Sequence, residues 1–149
     1  DQEYSVSDYG SLLAPFADPS VNFVLGSRHQ PGQHMRRPDS QKLRFFVLNA
    51  AHWVFTFLFN VVYRSRLKDP FTMYKVFRRS CIEGLHLEAD RFDFDWELVA
   101  KLIRRGYMPL EIPITYTSRS FESGKKIRWV RDPISWIIAL CKYRVSRLD

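Results

Sequence analysis

The stretch "FDFDWELVAKLIRRGYMPLEIPITYT", residues 92–117, changes its hydrophobic period halfway along. In the first half Trp96, Val99 and Ile103 recur at spacings of three and four, which predicts an amphipathic helix over 95–106. Asp95 is its expected N-cap and Gly106 its expected terminator. From Met108 onward Leu110, Ile112 and Ile114 alternate instead, and alternation predicts a strand. Pro109 and Pro113 lack the N–H that a central strand uses, so this strand belongs at an edge or a bulge. A helix handed straight to a strand is one step of an α/β layered sheet.

The rest of the chain extends that alternation. "VNFVLGSR", 21–28, is apolar and β-rich and reads as a buried strand ending at Gly26. "FTMYKVFRR", 71–79, alternates and reads as another. Between them, after the polar loop "HQPGQHMRRPDS", a long helix is expected from about Ser40 to Arg64. Asp132-Pro133 opens a last helix. At the other end "DQEY" reads as the end of a strand or the loop after it, and Ser7 as the cap of a short helix to about Pro15. With no internal repeat, linker or low-complexity tract, residues 1–149 are one domain or part of one.

Hydrophobic residues make up 46% of the 149 and aromatics 15%, enough for a packed core and too apolar for disorder. The net charge of +7 sits in the last third: residues 1–100 hold twelve basic and twelve acidic side chains, residues 101–149 eleven and four. Arg119, Lys125, Lys126, Arg128 and Arg131 cluster in "TYTSRSFESGKKIRWVRD", 115–132, with Ser123-Gly124 breaking the run. Such a cluster expects an anion: nucleotide phosphate, an anionic membrane or nucleic acid. A nucleic-acid surface spreads cations among exposed aromatics; here they sit in one loop after a strand, so nucleic acid is not expected. Cys81 and Cys141 lack metal-site spacing and fit reduced thiols in a cytosolic setting.

"LRFFVLNAAHWVFTFLFNVVY", 43–63, has the length of a membrane span. However, Asn49, His52, Thr56 and Asn60 fall at spacings of three, four and four and form one polar stripe. The expectation is therefore a core or surface-lying helix, with core packing accounting for most of its aromatics and Phe45, Trp53 and Phe57 as the outward-facing candidates. The last helix combines Trp136, Ile137 and Ile138 with Lys142, Arg144 and Arg147, the mixture that interfacial binding uses.

Several local matches fail. "SGKK" lacks the Gly and Ser/Thr of a Walker phosphate loop, and "HLEAD", 86–90, has no Pro-Cys-x-x-Cys after it. His29, His34, His52 and His86 show no metal spacing. An ordered set does match. "VLGSR" at 24–28, "KDPFTMYKVFRRS" at 68–80, "FDFDWELVAKLIRRGYMPLEIPITYTSRS" at 92–120 and "SGKKI" at 123–127 together resemble the C-terminal half of family 2 glycosyltransferases, specifically the polyprenyl-phosphate (dolichol-phosphate) sugar synthase group. Met73 departs from the pattern, standing where that family usually has Gly.

The resemblance implies a GT-A, Rossmann-like fold whose N-terminal nucleotide-binding strands lie outside this sequence. It implies transfer of a sugar from a UDP- or GDP-sugar to a polyprenyl phosphate at the cytoplasmic face of a membrane, by metal-assisted inverting displacement. Asp1 resembles the second Asp of the family's Asp-x-Asp motif, which would make Asp1 and Glu3 ligands of Mg²⁺ or Mn²⁺. Arg28, Arg119, Ser123, Lys125 and Lys126 would meet donor or acceptor phosphates. Asp69 is the candidate carboxylate near the reacting carbon, with a turn role beside Pro70 as its alternative. Asp93 is the second candidate, with Asp95 and Glu97 behind it, and Glu111 is expected to pair with a neighbouring cation. Two other readings stay open: a glycan or other hydroxyl acceptor, which would require a carboxylate base, and a non-catalytic membrane- or anion-binding module.

Overall fold

Phe23-Val24-Leu25 is an uninterrupted apolar run, and it becomes β1 (Phe23–Ser27), buried along its whole length. The structure, a computed structural model, describes residues 3–29, 42–89, 93–117 and 131–149; side chains in the helices at 42–63 and 131–145 are described from Phe46 and from Trp136. β1 is the middle of three strands. It runs antiparallel to β2 (Lys75–Phe77), with Phe23 opposite Phe77, and parallel to β3 (Leu110–Pro113), with Val24 opposite Leu110. β3 is an edge strand, as its prolines require.

Period two sends the β1 side chains into two cores. Phe23 and Leu25 join Phe55, Phe59, Trp96, Val99, Leu102 and Tyr143 under α2 (Lys42–Tyr63), α3 (Phe94–Arg104) and α4 (Arg131–Val145). On the opposite face Val24 packs with Leu12 of α1 (Tyr9–Leu13) and with Ile114. The result is the expected α/β arrangement, a mixed three-stranded sheet with helices on both faces.

Several boundaries differ from expectation for local reasons. Extended pairing at 71–79 is confined to Lys75–Phe77, because residues 69–72 form a turn closed by Thr72 N–H on the Asp69 carbonyl (3.4 Å). Ser5, not Ser7, is the N-terminal cap: its Oγ accepts from Ser7 N–H at 3.3 Å and starts a short 3₁₀ turn ahead of α1. α3 begins at Phe94 with Asp93 in the N-cap position, and neither Asp93 nor Asp95 caps with its side chain. Gly106 terminates α3 as expected, at φ +90°, with Tyr107 N–H on the Leu102 carbonyl and Gly106 N–H on that of Ile103.

The polar stripe of α2 faces inward. His52 and Thr56 are buried, and Asn60 is spent on the turn that follows the helix: its Oδ1 accepts from Leu67 N–H (2.9 Å) and Ser65 Oγ–H (2.7 Å), and its Nδ2 donates to the Leu67 carbonyl (2.8 Å). Phe55, Phe59 and Tyr63 pack into the core, whereas Phe46, Val47, Trp53, Val54, Phe57 and Val61 are exposed. Core packing thus explains fewer of the helix's aromatics than expected, and Trp53 and Phe57 do face outward. By length and composition alone Phe46–Tyr63 is long and apolar enough to cross a membrane.

Gly26 is the tightest point of the sheet. A Cβ there would lie 2.9 Å from both Ile114 Cγ2 and Tyr74 Cβ. Gly26→Ala is expected to destabilise the protein by about 1–3 kcal/mol, as overpacking does, measured as a lower urea midpoint at unchanged m-value.

Candidate functional site

β1 delivers Arg28 at its C-terminal end, directly opposite the turn that carries Asp69. Arg28 Nε donates to Asp69 Oδ2 at 2.8 Å and Nη2 to Oδ1 at 2.7 Å, a two-pronged pair, while Arg28 N–H also donates to Oδ2 at 2.9 Å. The Asp69 side chain is fully buried and that of Arg28 is 12% exposed. Burial pushes the Asp69 carboxyl up, but the Arg28 hydrogen bonds and charge outweigh it and hold the group below the usual carboxylate range. Burial works against the Arg28 cation too, and Asp69 reverses that, leaving the guanidinium charged at any ordinary pH. Because a guanidinium has five N–H donors in one plane, an edge remains beyond the two that Asp69 takes.

Three further side chains build the frame around this pair. Glu111 of β3 accepts from Lys68 N–H at 2.9 Å and Asp69 N–H at 2.8 Å, pinning the turn from beneath. It therefore holds backbone N–H groups rather than the cationic side chain expected for it. Thr72 donates its hydroxyl to the Gly26 carbonyl, fastening the far end of the same turn to β1. Lys75, on β2, donates to the Thr72 carbonyl and pairs with Asp95 at 2.7 Å. Burial lowers the Lys75 pKa, partly countered by Asp95, and both Arg28 and Asp69 act on it electrostatically.

The N-terminal segment reaches the same place. Tyr4 bridges Tyr116, Thr117 N–H donates to the Glu3 carbonyl at 3.0 Å, and Tyr116 Oη donates to Glu3 Oε2 at 3.4 Å. The Arg28 guanidinium lies 5.5 Å from the centre of the Tyr116 ring, a cation–π contact that links it to the Glu3 strand end. Met73 N–H donates to Tyr4 Oη at 3.3 Å while the Met73 side chain points to solvent. Its backbone is not left-handed, since Arg64 is the positive-φ non-glycine among the described residues, so nothing at that position requires glycine.

Of the sequence candidates, the structure brings together Arg28, Asp69 and the Glu3 segment. Asp93 is placed elsewhere in the packing, accepting from Tyr143 Oη of α4 at 2.7 Å. Glu97 is buried on Lys101 and is spent on structure. Asp1, Arg119, Ser123, Lys125 and Lys126 lie outside the described residues, although the basic stretch begins two residues after Thr117. Among the described residues no group of three or more His, Cys, Asp or Glu side chains converges to hold a metal. Lys75 and Tyr116 were missed by sequence reading and Glu111 was named with a different partner, because each acts across the sheet and not along the chain.

No family model matches the chain, and no solved structure matches it. Among curated proteins it is similar to the polyprenol monophosphomannose synthase of Mycolicibacterium smegmatis, with 29% identity over 125 residues, 79% of this chain. The chain spans 45% of the length of that relative.

Proposed function

We propose that this chain is the C-terminal part of a family 2, GT-A glycosyltransferase domain that moves a sugar from a UDP- or GDP-sugar to a polyprenyl phosphate with inversion. The observation that carries this reading is the Arg28–Asp69 pair at the end of β1, a permanently charged guanidinium with one edge held by a buried carboxylate. Support comes from the resemblance of the ordered motifs and from similarity to an enzyme named for polyprenol phosphate chemistry.

In this scheme a phosphate oxygen of the acceptor attacks the anomeric carbon while the bond to the nucleoside diphosphate breaks, and the leaving group departs with the electron pair. The acceptor is already an anion, so no base has to remove a proton. That suits Asp69, whose two oxygens are occupied by Arg28 and whose carboxyl is held ionised; its role is to aim Arg28. A hydroxyl acceptor would need a base with an available carboxylate. Arg28, with Arg119, Ser123, Lys125 and Lys126 from the basic stretch, gathers charge developing on phosphate oxygens. Asp1 and Glu3 offer the hard carboxylate oxygens that Mg²⁺ or Mn²⁺ takes, and such an ion would neutralise diphosphate charge.

The exposed apolar side of α2 and the exposed Ile137 and Ile138 of α4, with exposed Lys142 and Arg144 beside them, suit peripheral binding to the cytoplasmic face of an anionic membrane. Replacing Trp53 and Phe57 together by Ser is expected to weaken sedimentation with anionic liposomes by about tenfold or more, since each buried aromatic contributes more than 1 kcal/mol. Phe57→Ser alone should leave thermal stability nearly unchanged because its ring is exposed, whereas Trp53 also packs on His29, so the double variant is compared at a temperature where it is folded.

The decisive assay uses the intact protein in nanodiscs with a panel of nucleotide sugars and Mn²⁺, with and without polyprenyl phosphate. Nucleoside diphosphate release that depends on the lipid phosphate supports the transferase. Binding to anionic liposomes without release from any donor would replace it with a non-catalytic membrane module.

A further inference from the structure

Val54, Phe57 and Val61 follow one another at spacings of three and four along the outer side of α2, and all are exposed. Three residues further on comes Arg64, the first residue beyond the helix. After it the chain alternates: Arg64, Arg66 and Lys68 are exposed, while Ser65, Leu67 and Asp69 are buried. An apolar stripe therefore ends in three cations that all face outward.

Arg64 is an unfavourable choice for its position. Ser65 N–H donates back to the Asn60 carbonyl at 3.0 Å, the closing bond of a Schellman helix end, which places the residue before Ser65 in the left-handed region. Arg64 lies there, at φ +53°. Glycine takes this conformation freely, whereas an L side chain crowds its own backbone. The helix dipole favours a cation near this end, but one inside the last turn would serve it without the left-handed backbone, and the last turn of α2 carries no basic residue.

The packing gives no other use for the row. Among the described residues the side chains of Arg64, Arg66 and Lys68 make no ion pair or hydrogen bond. By contrast, the exposed Arg79 has Glu83 at 3.7 Å, and Lys142 has Glu88 at 2.9 Å. The carboxylates beside the row are already engaged: Asp69 holds Arg28, and Glu111 accepts from the main-chain N–H groups of Lys68 and Asp69.

We infer that Arg64, Arg66 and Lys68 are a headgroup anchor, through which the C-terminal end of α2 binds the phosphates of an anionic phospholipid bilayer. This rests on the reading of α2 as a membrane-facing helix. A bilayer complements an apolar stripe and a cationic end together, and it does so without any matching of register. The apolar stems of arginine and lysine lie along the acyl boundary while their charged heads reach the phosphates. The anchor also sets the height of the site. Lys68 and Asp69 are consecutive and hang by their N–H groups from one Glu111 carboxylate, and Asp69 holds Arg28. With Lys68 at the headgroups, Arg28 stands at the level of a lipid phosphate.

The test is sedimentation of the intact protein with mixed phosphatidylglycerol–phosphatidylcholine vesicles and with phosphatidylcholine alone. Each cation near an anionic surface contributes roughly fivefold in partitioning, so Arg64→Gly should bind the mixed vesicles about fivefold more weakly. Arg64→Gly, Arg66→Gln and Lys68→Gln together should bind about 100-fold more weakly. Both losses should shrink in high salt, which screens headgroup contacts. Arg64→Gly should melt no lower than the wild type, since glycine suits the left-handed position, so its weaker binding is not a loss of fold. Arg79→Gln removes an exposed cation outside the row and should leave binding nearly unchanged. Wild-type binding by the triple variant, or wild-type protein that prefers neither vesicle, overturns the anchor. If the Trp53→Ser, Phe57→Ser variant loses binding in that case, α2 remains the membrane face; if it too binds like the wild type, that reading falls as well. No binding of the wild type to either vesicle overturns both.

Discussion

Arg28→Lys is expected to fold and to lose at least tenfold in kcat/KM for lipid-phosphate-dependent release of nucleoside diphosphate, and Arg28→Ala to lose about 10²–10³-fold. The two variants separate charge from shape. Lysine keeps a positive charge against buried Asp69 but has no planar fork, so it cannot hold Asp69 with one edge and present another to a phosphate. Alanine strands the Asp69 carboxylate, fully buried with only the Arg28 main-chain N–H left of its three hydrogen bonds. A stranded buried charge costs about 3–5 kcal/mol, so the alanine variant must be assayed under conditions where circular dichroism shows it folded. Wild-type turnover by Arg28→Lys would remove Arg28 from the phosphate site.

The same pair sets the acid limit. The Asp69 pKa is depressed in the folded protein, so its stabilising contribution is complete above the unfolded value of about 4 and disappears as pH falls through the lower folded value. No loss of stability or activity above pH 5 should therefore trace to Asp69. Asp69→Asn should flatten the stability profile below pH 4, read by thermal melts across that range.

What could be read in the sequence followed from periodicity and chain order. The 95–106 helix, its Gly106 stop and the apolar β1 come from patterns local to a few residues and are present within a residue or two, while the edge strand expected over 108–117 is present but confined to Leu110–Pro113. Residues 71–72, the end of the turn at 69–72, were read as strand because Phe71 and Met73 alternate with polar neighbours; Thr72 and Asp69 override the pattern by bonding β1 and their own turn. The site was legible only in part. Arg28 and Asp69 were named separately from motif resemblance, but their bidentate pairing spans 41 residues and no spacing rule contains it. Glu111 and Lys75 likewise act from strand to turn or from strand to helix. For α2 the stripe and the outward Trp53 and Phe57 were read correctly, while the turn that Asn60 organises, seven residues on at Leu67, was not in the pattern.

Glu97→Ala should be the most destabilising single change in the helical layer, by about 3–5 kcal/mol. Glu97 and Lys101, one turn apart on α3, are both fully buried and paired at 2.7 Å. The Glu97 carboxylate also accepts from Glu88 N–H at 2.9 Å and Ala89 N–H at 2.7 Å, and Lys101 donates to the His86 carbonyl. The pair is thus a clamp on residues 86–89, reinforced from α4 by Lys142 on Glu88 at 2.9 Å. Alanine at 97 leaves two part-buried N–H groups without their acceptor and removes the nearest counter-charge of the buried Lys101 ammonium, which keeps the His86 carbonyl and Glu88 at 3.8 Å, and each of those losses is destabilising by itself. If the cost arises from the stranded charge and not from lost packing, removing both charges must hurt less than removing one. Glu97→Leu combined with Lys101→Met should therefore be more stable than Glu97→Ala alone, measured by urea unfolding, although the 86–89 N–H groups still lack an acceptor. A double variant no more stable than the single one would place the cost in those N–H groups, and would mark Glu97 as an anchor for the 86–89 segment first and a partner for Lys101 second.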